Sequence, residues 1–382
     1  MYKAYKVEIK PTKEQIQKIH QTMGVCRFVY NLFITKNKEV YESDKKFFSG
    51  FDFSKWLNNT FIPENPEYSW IKEVSAQAIQ DSMRNAEVAF KKFFKGQSKF
   101  PRYKKKTDSI SVKFPKNSPT SSTVERHRVK VPNLGFIRLK QYGYIPLDAI
   151  VKSATISKVV DSYFVSILVV EETEVTPKNT NEGLGIDLGV KEFAIVSNGS
   201  TFKNINKSLK VKKLQKQLKR AQRNFSRKLE NNKKFMKKEA NRNISKNKLR
   251  LQKLHYKLGN IRREYTKAVV NSLVSQSPKF IAIEDLNVKG MVANRHLSKA
   301  VQEQNFYYFR VFLTQQAKKY NIEVRVIDRW YPSSKTCSCC GHVKGKLSLS
   351  ERTFVCEECG ESLDRDLNAS INIKNCKTYK TT

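Results

Sequence analysis

The chain of 382 residues carries 73 lysines and arginines against 35 aspartates and glutamates, a formal net charge of +38, and 39% of its residues are hydrophobic. That length spans two to four domains of roughly 100–200 residues each, and the apolar content excludes a disordered basic tail. Positive charge on this scale opposes compaction unless a polyanion binds, so nucleic acid is the expected partner; charge alone leaves a ribosomal or chromatin protein open.

Residues 1–10 place Tyr2, Ala4, Val7 and Ile9 in strand-like alternation. Pro11-Thr12 then opens a helix, with Thr12-Lys13-Glu14-Gln15 resembling a capping box and apolar spacing from Ile16 to Phe33 carrying it to about Lys38. A second helical block runs from about Glu73 to Phe94. Phe90, Phe93 and Phe94 among its lysines read as core packing in preference to base stacking. Residues 109–172 alternate in short segments (SISVKF, RVKVPNLGFIRL, DSYFVSILVV) and predict antiparallel strands of a small β-barrel. Residues 177–181 read as a linker. Gly183 to Val196 reads as strand–turn–strand, and 207–264 as a very basic helical hairpin, either a solvated face or a nucleic-acid contact. A buried strand at 279–284, a helix at 301–320, a strand at 322–328, a cysteine module and a short closing helix complete the chain. The start, MYKAYKVEIKPTKEQ, has no apolar signal core. The apolar run Tyr163 to Val170 falls far short of the roughly 20 residues a spanning helix needs. A cytoplasmic protein without a membrane partner is expected.

Three acidic positions stand out. Asp187 lies inside the apolar segment Gly185-Ile186-Asp187-Leu188-Gly189, and Glu284 ends Phe280-Ile281-Ala282-Ile283. Asp364-Arg365-Asp366-Leu367-Asn368-Ala369-Ser370 opens the closing helix, with both aspartates as candidates. A carboxylate beside apolar strands is costly unless paired or metal-bound. Each acid alone reads as a cap or turn residue; together they make a ligand set for two hard cations, Mg²⁺ or Mn²⁺. Gly185 and Gly189 would permit close backbone approach near such ions. Asp285, next to Glu284, should point to the opposite face.

Cys337 and Cys340, then Cys356 and Cys359, form two C-x-x-C pairs separated by residues 341–355. This is the spacing of a structural four-thiolate Zn²⁺ site. Gly341 and Gly360 follow each pair, as knuckle turns require. Only Cys340, not Cys339, gives the x₂ spacing to Cys337; Cys26, Cys339 and Cys376 receive no role. The module sits between the strand at 322–328 and the closing helix, so it reads as an insertion.

The order of strand Asp, later strand Glu and helical Asp resembles the RuvC branch of the RNase H-like fold. The chain as a whole resembles the TnpB family. The likeness rests on Gly24-Val25-Cys26-Arg27-Phe28-Val29-Tyr30-Asn31, on Phe93-Phe94-Lys95-Gly96 to Pro101-Arg102-Tyr103-Lys104, on Gly185-Ile186-Asp187-Leu188-Gly189, on Ile283-Glu284-Asp285-Leu286, on Ser333-Ser334-Lys335-Thr336-Cys337, on both C-x-x-C pairs and on Asp364-Arg365-Asp366. The resemblance implies a multidomain α+β protein. Its wedge β-barrel would comprise 1–10 and 107–182, with a helical recognition domain at 11–106. An RNase H-like (RuvC) nuclease core would comprise 183–330 and 364–382, and a zinc ribbon 331–363. It further implies Asp187, Glu284 and Asp366 as catalytic ligands of two Mg²⁺ (or Mn²⁺) ions, Asp364 remaining a substitute for Asp366. The implied cofactor set includes one structural Zn²⁺, and the implied partners are a guide RNA from the transposon end and double-stranded target DNA. Ser75, Gln77 and Gln80 would be candidates for reading a short motif beside the target, since glutamine can pair bidentately with adenine. RNA-guided DNA cleavage is the expectation, in a prokaryotic host. A nuclease-inactive guided repressor and a strand-transfer transposase are the alternatives, since fold alone does not decide between them.

Overall fold

The computed structural model describes residues 2–106, 111–115, 122–171, 181–234, 242–348 and 350–381. The chain divides into two compact units, residues 1–173 and 174–382. Among the described residues no helix is long and apolar enough to cross a membrane. The expected linker at 177–181 lies outside the described residues except for Asn181.

The first unit opens with strand β1 (Tyr2–Lys10) and helix α1 (Lys13–Asp44). The expected capping box is present: the Thr12 hydroxyl accepts from the Gln15 amide, and the Gln15 side chain accepts from the Thr12 amide. The helix runs past Lys38 and stops where Lys45 turns left-handed, with φ 55°. Sequence periodicity misses the short elements beyond it: α2 (Gly50–Trp56), a π turn at Leu57–Phe61, α3 (Ile62–Glu64) and a 3₁₀ stretch at Pro66–Glu73. α4 (Ala76–Phe94) starts three residues later than expected. These elements share an aromatic core that includes Phe33, Phe53 and Phe90. Core packing is thus correct for Phe90, whereas Phe94 is exposed and meets the cluster at its edge, through Phe47 and Phe90.

Strands β2 (Ser111–Pro115), β3 (Arg128–Val131), β4 (Gly135–Leu139), β5 (Ile150–Val159) and β6 (Ser162–Val170) join β1 in one sheet ordered β2-β5-β6-β1-β4-β3. Every pairing is antiparallel. Alternation drives it: Val165, Ile167 and Val169 of β6 are buried while their neighbours are half-exposed. All six strands feed one apolar cluster, which also takes Ile19 and Met23 of α1 and Ala78 of α4. Among the described residues no ladder joins the edge strands β2 and β3, so the sheet is not closed by hydrogen bonds.

In the second unit, β7 (Leu184–Leu188), β8 (Glu192–Val196) and β9 (Thr201–Lys203) form an antiparallel meander. A basic hairpin comes next, α5 (Leu209–Lys234) and α6 (Arg242–Val274), the latter running ten residues beyond the expected end at 264. β10 (Phe280–Glu284) then pairs parallel to β7. After α7 (Val288–Ala293), the expected helix at 301–320 is two helices, α8 (Ser298–Gln304) and α9 (Phe306–Lys319), parted by Asn305 at φ 61°. β11 (Glu323–Ile327) pairs parallel to β10. A small hairpin, β12 (Thr353–Val355) and β13 (Ser362–Asp364), precedes α10 (Arg365–Asn375), and β14 (Tyr379–Thr381), which the sequence does not announce, pairs antiparallel to β11. The large sheet is ordered β14-β11-β10-β7-β8-β9.

The two faces of this sheet have different covers. Leu184 and Ile186 of β7 and Ile281 and Ile283 of β10 pack with Val270 and Leu273 of α6 and Phe309 and Leu313 of α9. Ala282, between those isoleucines, packs instead with Ile373 of α10. α10 therefore lies on the opposite face. Gly185 makes that approach possible: a Cβ there would sit 2.1 Å from the Ser370 carbonyl oxygen and 2.5 Å from the Lys374 nitrogen. The neighbours are helix backbone and cannot swing away. Gly185→Ala should lift α10 off β7 and lower stability by about 1–3 kcal/mol or more, read as a lower midpoint in thermal denaturation. An unchanged midpoint would contradict the packing.

Candidate active site and metal centre

Side chains alternate along a strand, so residues in phase with Gly185 and Ala282 face α10. Asp187 and Glu284 are in phase with them. The parallel register that pairs Ala282 with Gly185 and Ile283 with Ile186 continues to place Glu284 beside Asp187. Both acids thus stand at the same ends of adjacent strands, on the face that α10 covers, and α10 brings Asp366 in its first turn.

Electrostatics ties the three together. Burial pushes the Asp187 carboxyl up to about 7, and the negative charges of Glu284 and Asp366 add to this against a smaller opposing effect from Arg365. Burial likewise raises Glu284, offset by the hydroxyl of Ser333, which donates to its Oε1. Although the protein carries a net charge of +38, the charges acting on Asp187 are mostly negative, with Arg365 opposing them. That donor set fits hard divalent cations. Among the described residues only the four cysteines put ligand atoms within 4.8 Å of one another, and the three acids are spaced more widely.

The structure separates the two C-terminal aspartates. The Asp364 carboxylate caps α10, accepting from the amides of Asp366 (3.0 Å) and Leu367 (3.1 Å). Asp366 contacts Arg365 at 3.2 Å and Arg352 at 3.9 Å. Asp285 is turned away, as expected, and is held by Arg310 (2.6 Å) and Arg329 (2.7 Å), which keep its carboxyl below the usual range. Gly189 sits in the turn to β8, its amide reaching the Phe193 carbonyl at 3.3 Å. Of the two glycines, Gly185 meets the helix that carries Asp366.

The raised Asp187 value makes stability depend on pH. Its folded value, about 7, exceeds the ordinary 3.8, so between about pH 4 and 7 the folded chain holds a proton that the unfolded chain has released. Stability then falls as pH rises through that window, by something on the order of a few kcal/mol. In cation-free buffer, the melting temperature should drop more between pH 5 and pH 8 for the native chain than for Asp187→Asn. Adding Mg²⁺ at pH 8 should recover the difference. Identical pH profiles for the two proteins would contradict it.

In the cysteine module, the sulfur of Cys337 lies 3.6 Å from that of Cys359, and Cys340 is 3.6 Å from Cys356. Four thiolates about 2.3 Å from a central Zn²⁺ would stand about 3.8 Å apart, so the cluster has the dimensions of a structural zinc site. Cys339 is exposed and outside it. Gly341 and Gly360 take left-handed φ values of 80° and 70°, which supply the knuckle turns. Backbone amides of Cys359 and Glu358 favour the Cys356 thiolate and bring it down to about 6. The module's own core is Cys337, Cys356 and Phe354, with Leu347 packed against them.

Sequence reasoning left several residues of this region without a role. Asn368 and Asn372 are buried on α10 and hydrogen-bond to the loop between β11 and the first cysteine pair. A cleft of about 230 Å³ beside Glu284 is lined by Lys289, Tyr307, Arg310 and Arg329. Asparagines at i and i+4 in an otherwise apolar helical pattern were the available signal for the first pair; nothing local marks the second group. In the other unit, Ser75 is buried at the start of α4, Gln77 is half-buried with its Oε1 unpartnered, and Gln80 is exposed.

The fold has a counterpart among solved structures. It matches the solved structure titled "Cryo-EM structure of the Cas12f1-sgRNA-target DNA complex" over 100% of this chain and 99% of that one, with a TM-score of 0.59 at 13% identity. Three family models match: the Cas12f1-like TNB domain over residues 306–373, the OrfB_IS605 "Probable transposase" over 166–295, and the OrfB_IS605 "Helix-turn-helix domain" over 1–46, which here forms a strand and one long helix. "Putative RNA-guided DNA endonuclease" of Streptomyces pristinaespiralis is 30% identical over 97% of this chain and 88% of its own length. "Putative RNA-guided DNA endonuclease InsQ" of Escherichia coli K12 is 28% identical over 97% and 91%. This chain belongs to the TnpB family.

Proposed function

We propose that the protein is an RNA-guided DNA endonuclease of a transposable element, cutting target DNA beside a short adjacent motif by two-metal phosphodiester hydrolysis. The observation that carries this reading is the position of Asp187 and Glu284 side by side at one end of adjacent parallel strands, under the helix that brings Asp366. A meander β7-β8-β9 extended by the parallel strands β10 and β11 supports assignment of residues 183–330 and 364–382 to an RNase H-like (RuvC) core. Residues 331–363 would be its zinc ribbon.

Asp187, Glu284 and Asp366 would hold two Mg²⁺ or Mn²⁺ ions. Such ions supply a nucleophilic water and stabilise the leaving 3′ oxygen. The protein's share is placement. Ser333 orients Glu284, Asp364 fixes the first turn of α10, and Arg310 and Arg329 hold Asp285 out of the site. Lys289 and the 72%-exposed Tyr307 line the cleft beside Glu284, where a phosphate and an unpaired base of the cut strand would rest. In this reading 1–10 and 107–182 form the wedge and 11–106 the recognition domain. Gln77 and Gln80 are better placed than the buried Ser75 to meet the adjacent motif. A guide RNA from the transposon end would select the target by pairing, as other guided nucleases do. A repressor or strand-transfer enzyme is less well supported, the first because three acids are kept where binding alone needs none.

Phosphorothioate substitution at the cut site tests the chemistry. Sulfur binds Mg²⁺ poorly, so cleavage in Mg²⁺ should fall and Mn²⁺ should restore it. Equal cleavage of both DNAs in Mg²⁺ would remove metal-bound phosphate from the mechanism.

A further inference from the structure

We propose that the zinc ribbon and the carboxylate site are linked, so that a filled thiolate cluster raises the affinity of the carboxylates for divalent cations through Asn368, Asn372 and Ser333. The loop from β11 to the first cysteine pair is tied to α10 at four points. The Asn372 amide donates to the carbonyls of Ser333 (2.8 Å) and Thr336 (2.6 Å). The Asn368 amide donates to the Thr336 carbonyl at 2.7 Å, and its oxygen accepts from the Ser338 nitrogen at 2.9 Å. Those bonds bracket Cys337, whose sulfur belongs to the cluster. At the other end of the loop the Ser333 hydroxyl donates to Glu284.

Asn368, Asn372 and Ser333 are 0%, 4% and 6% exposed. Water therefore cannot replace these bonds cheaply, and a buried amide left unpaired is penalised. The loop is consequently held as one piece with the helix that carries Asp366. If Cys337 is released, Thr336 and Ser338 keep only their bonds to Asn368 and Asn372, the loop is held from one side alone, and Ser333 fixes the Glu284 carboxylate less firmly. Coupling of this kind is reciprocal: a cation on the acids must also tighten zinc. Ser333 and the two asparagines are positioning residues in this account.

The inference rests on the reading of Asp187, Glu284 and Asp366 as cation ligands, and both are tested by Mn²⁺ binding to the full chain without nucleic acid, followed by electron paramagnetic resonance. Native protein should bind Mn²⁺, and Asp187→Ala should not. Ser333→Ala should keep one zinc per chain and a cooperative melt, yet bind Mn²⁺ about tenfold more weakly; Ser333→Thr should recover part of the loss. Native protein stripped of zinc should show the same weakening, reversed on adding zinc. Mn²⁺ should also slow zinc transfer to a chromogenic chelator in the native chain and much less in Ser333→Ala. Mn²⁺ binding that depends on Asp187 but is untouched by Ser333→Ala and by zinc removal would overturn the linkage alone. No Mn²⁺ binding by the native chain would overturn the carboxylate reading and the linkage with it.

Discussion

Asp187→Ala is expected to reduce DNA cleavage by roughly a thousandfold or more, the scale at which loss of transition-state charge stabilisation in metal catalysis is felt. Binding of RNA and DNA should stay within about twofold. The two effects separate because of where the charges lie. Asp187 sits at the end of β7 under α10, among the charges of Glu284, Asp366, Asp364 and Arg365. The affinity for phosphates comes from a surplus of 38 positive charges over the whole chain. Removing one carboxylate takes away negative charge and leaves every phosphate-binding cation in place. Parallel gel-shift and cleavage assays decide it; loss of binding together with cleavage would contradict the assignment.

Cys356→Ser is expected to release zinc and unfold the ribbon, with a loss of several kcal/mol, since the free energy of a structural zinc site is largely folding free energy. The ribbon has little else to hold it. Its apolar core comprises two of the thiols themselves, Phe354 and Leu347. Its two strands are three residues each. Zinc per chain by mass spectrometry should fall from one to near zero, and residues 338–362 should become sensitive to protease. Undiminished zinc would contradict the ligand set.

Much of this was legible in the sequence where the physics is local. The Thr12–Gln15 capping box, the alternation of β6 and the x₂ spacing of the cysteine pairs depend on neighbours in the chain. The two strand-end acids were visible because a charged residue in an apolar run is costly. Three kinds of feature were not legible. Aromatic-rich segments without a clear period hid the short helices between Gly50 and Glu73. Asn305 interrupts a helical pattern by adopting a left-handed conformation, which the periodicity of its neighbours does not record. Contacts between distant residues decided the rest. Only folding shows that Gly185 faces the Ser370 carbonyl, that Ser333 reaches Glu284, or that Asp364 caps the helix that carries Asp366.

Guided cleavage is tested most directly by expressing the protein with its flanking native DNA, sequencing the RNA that copurifies, and offering the complex a matching duplex in Mg²⁺. The expected result is a discrete bound RNA and cleavage that requires its match to the target and disappears with Asp187→Ala. No specific RNA, with Mg²⁺-dependent cutting of any DNA, would contradict guided cleavage while leaving the carboxylate site in place.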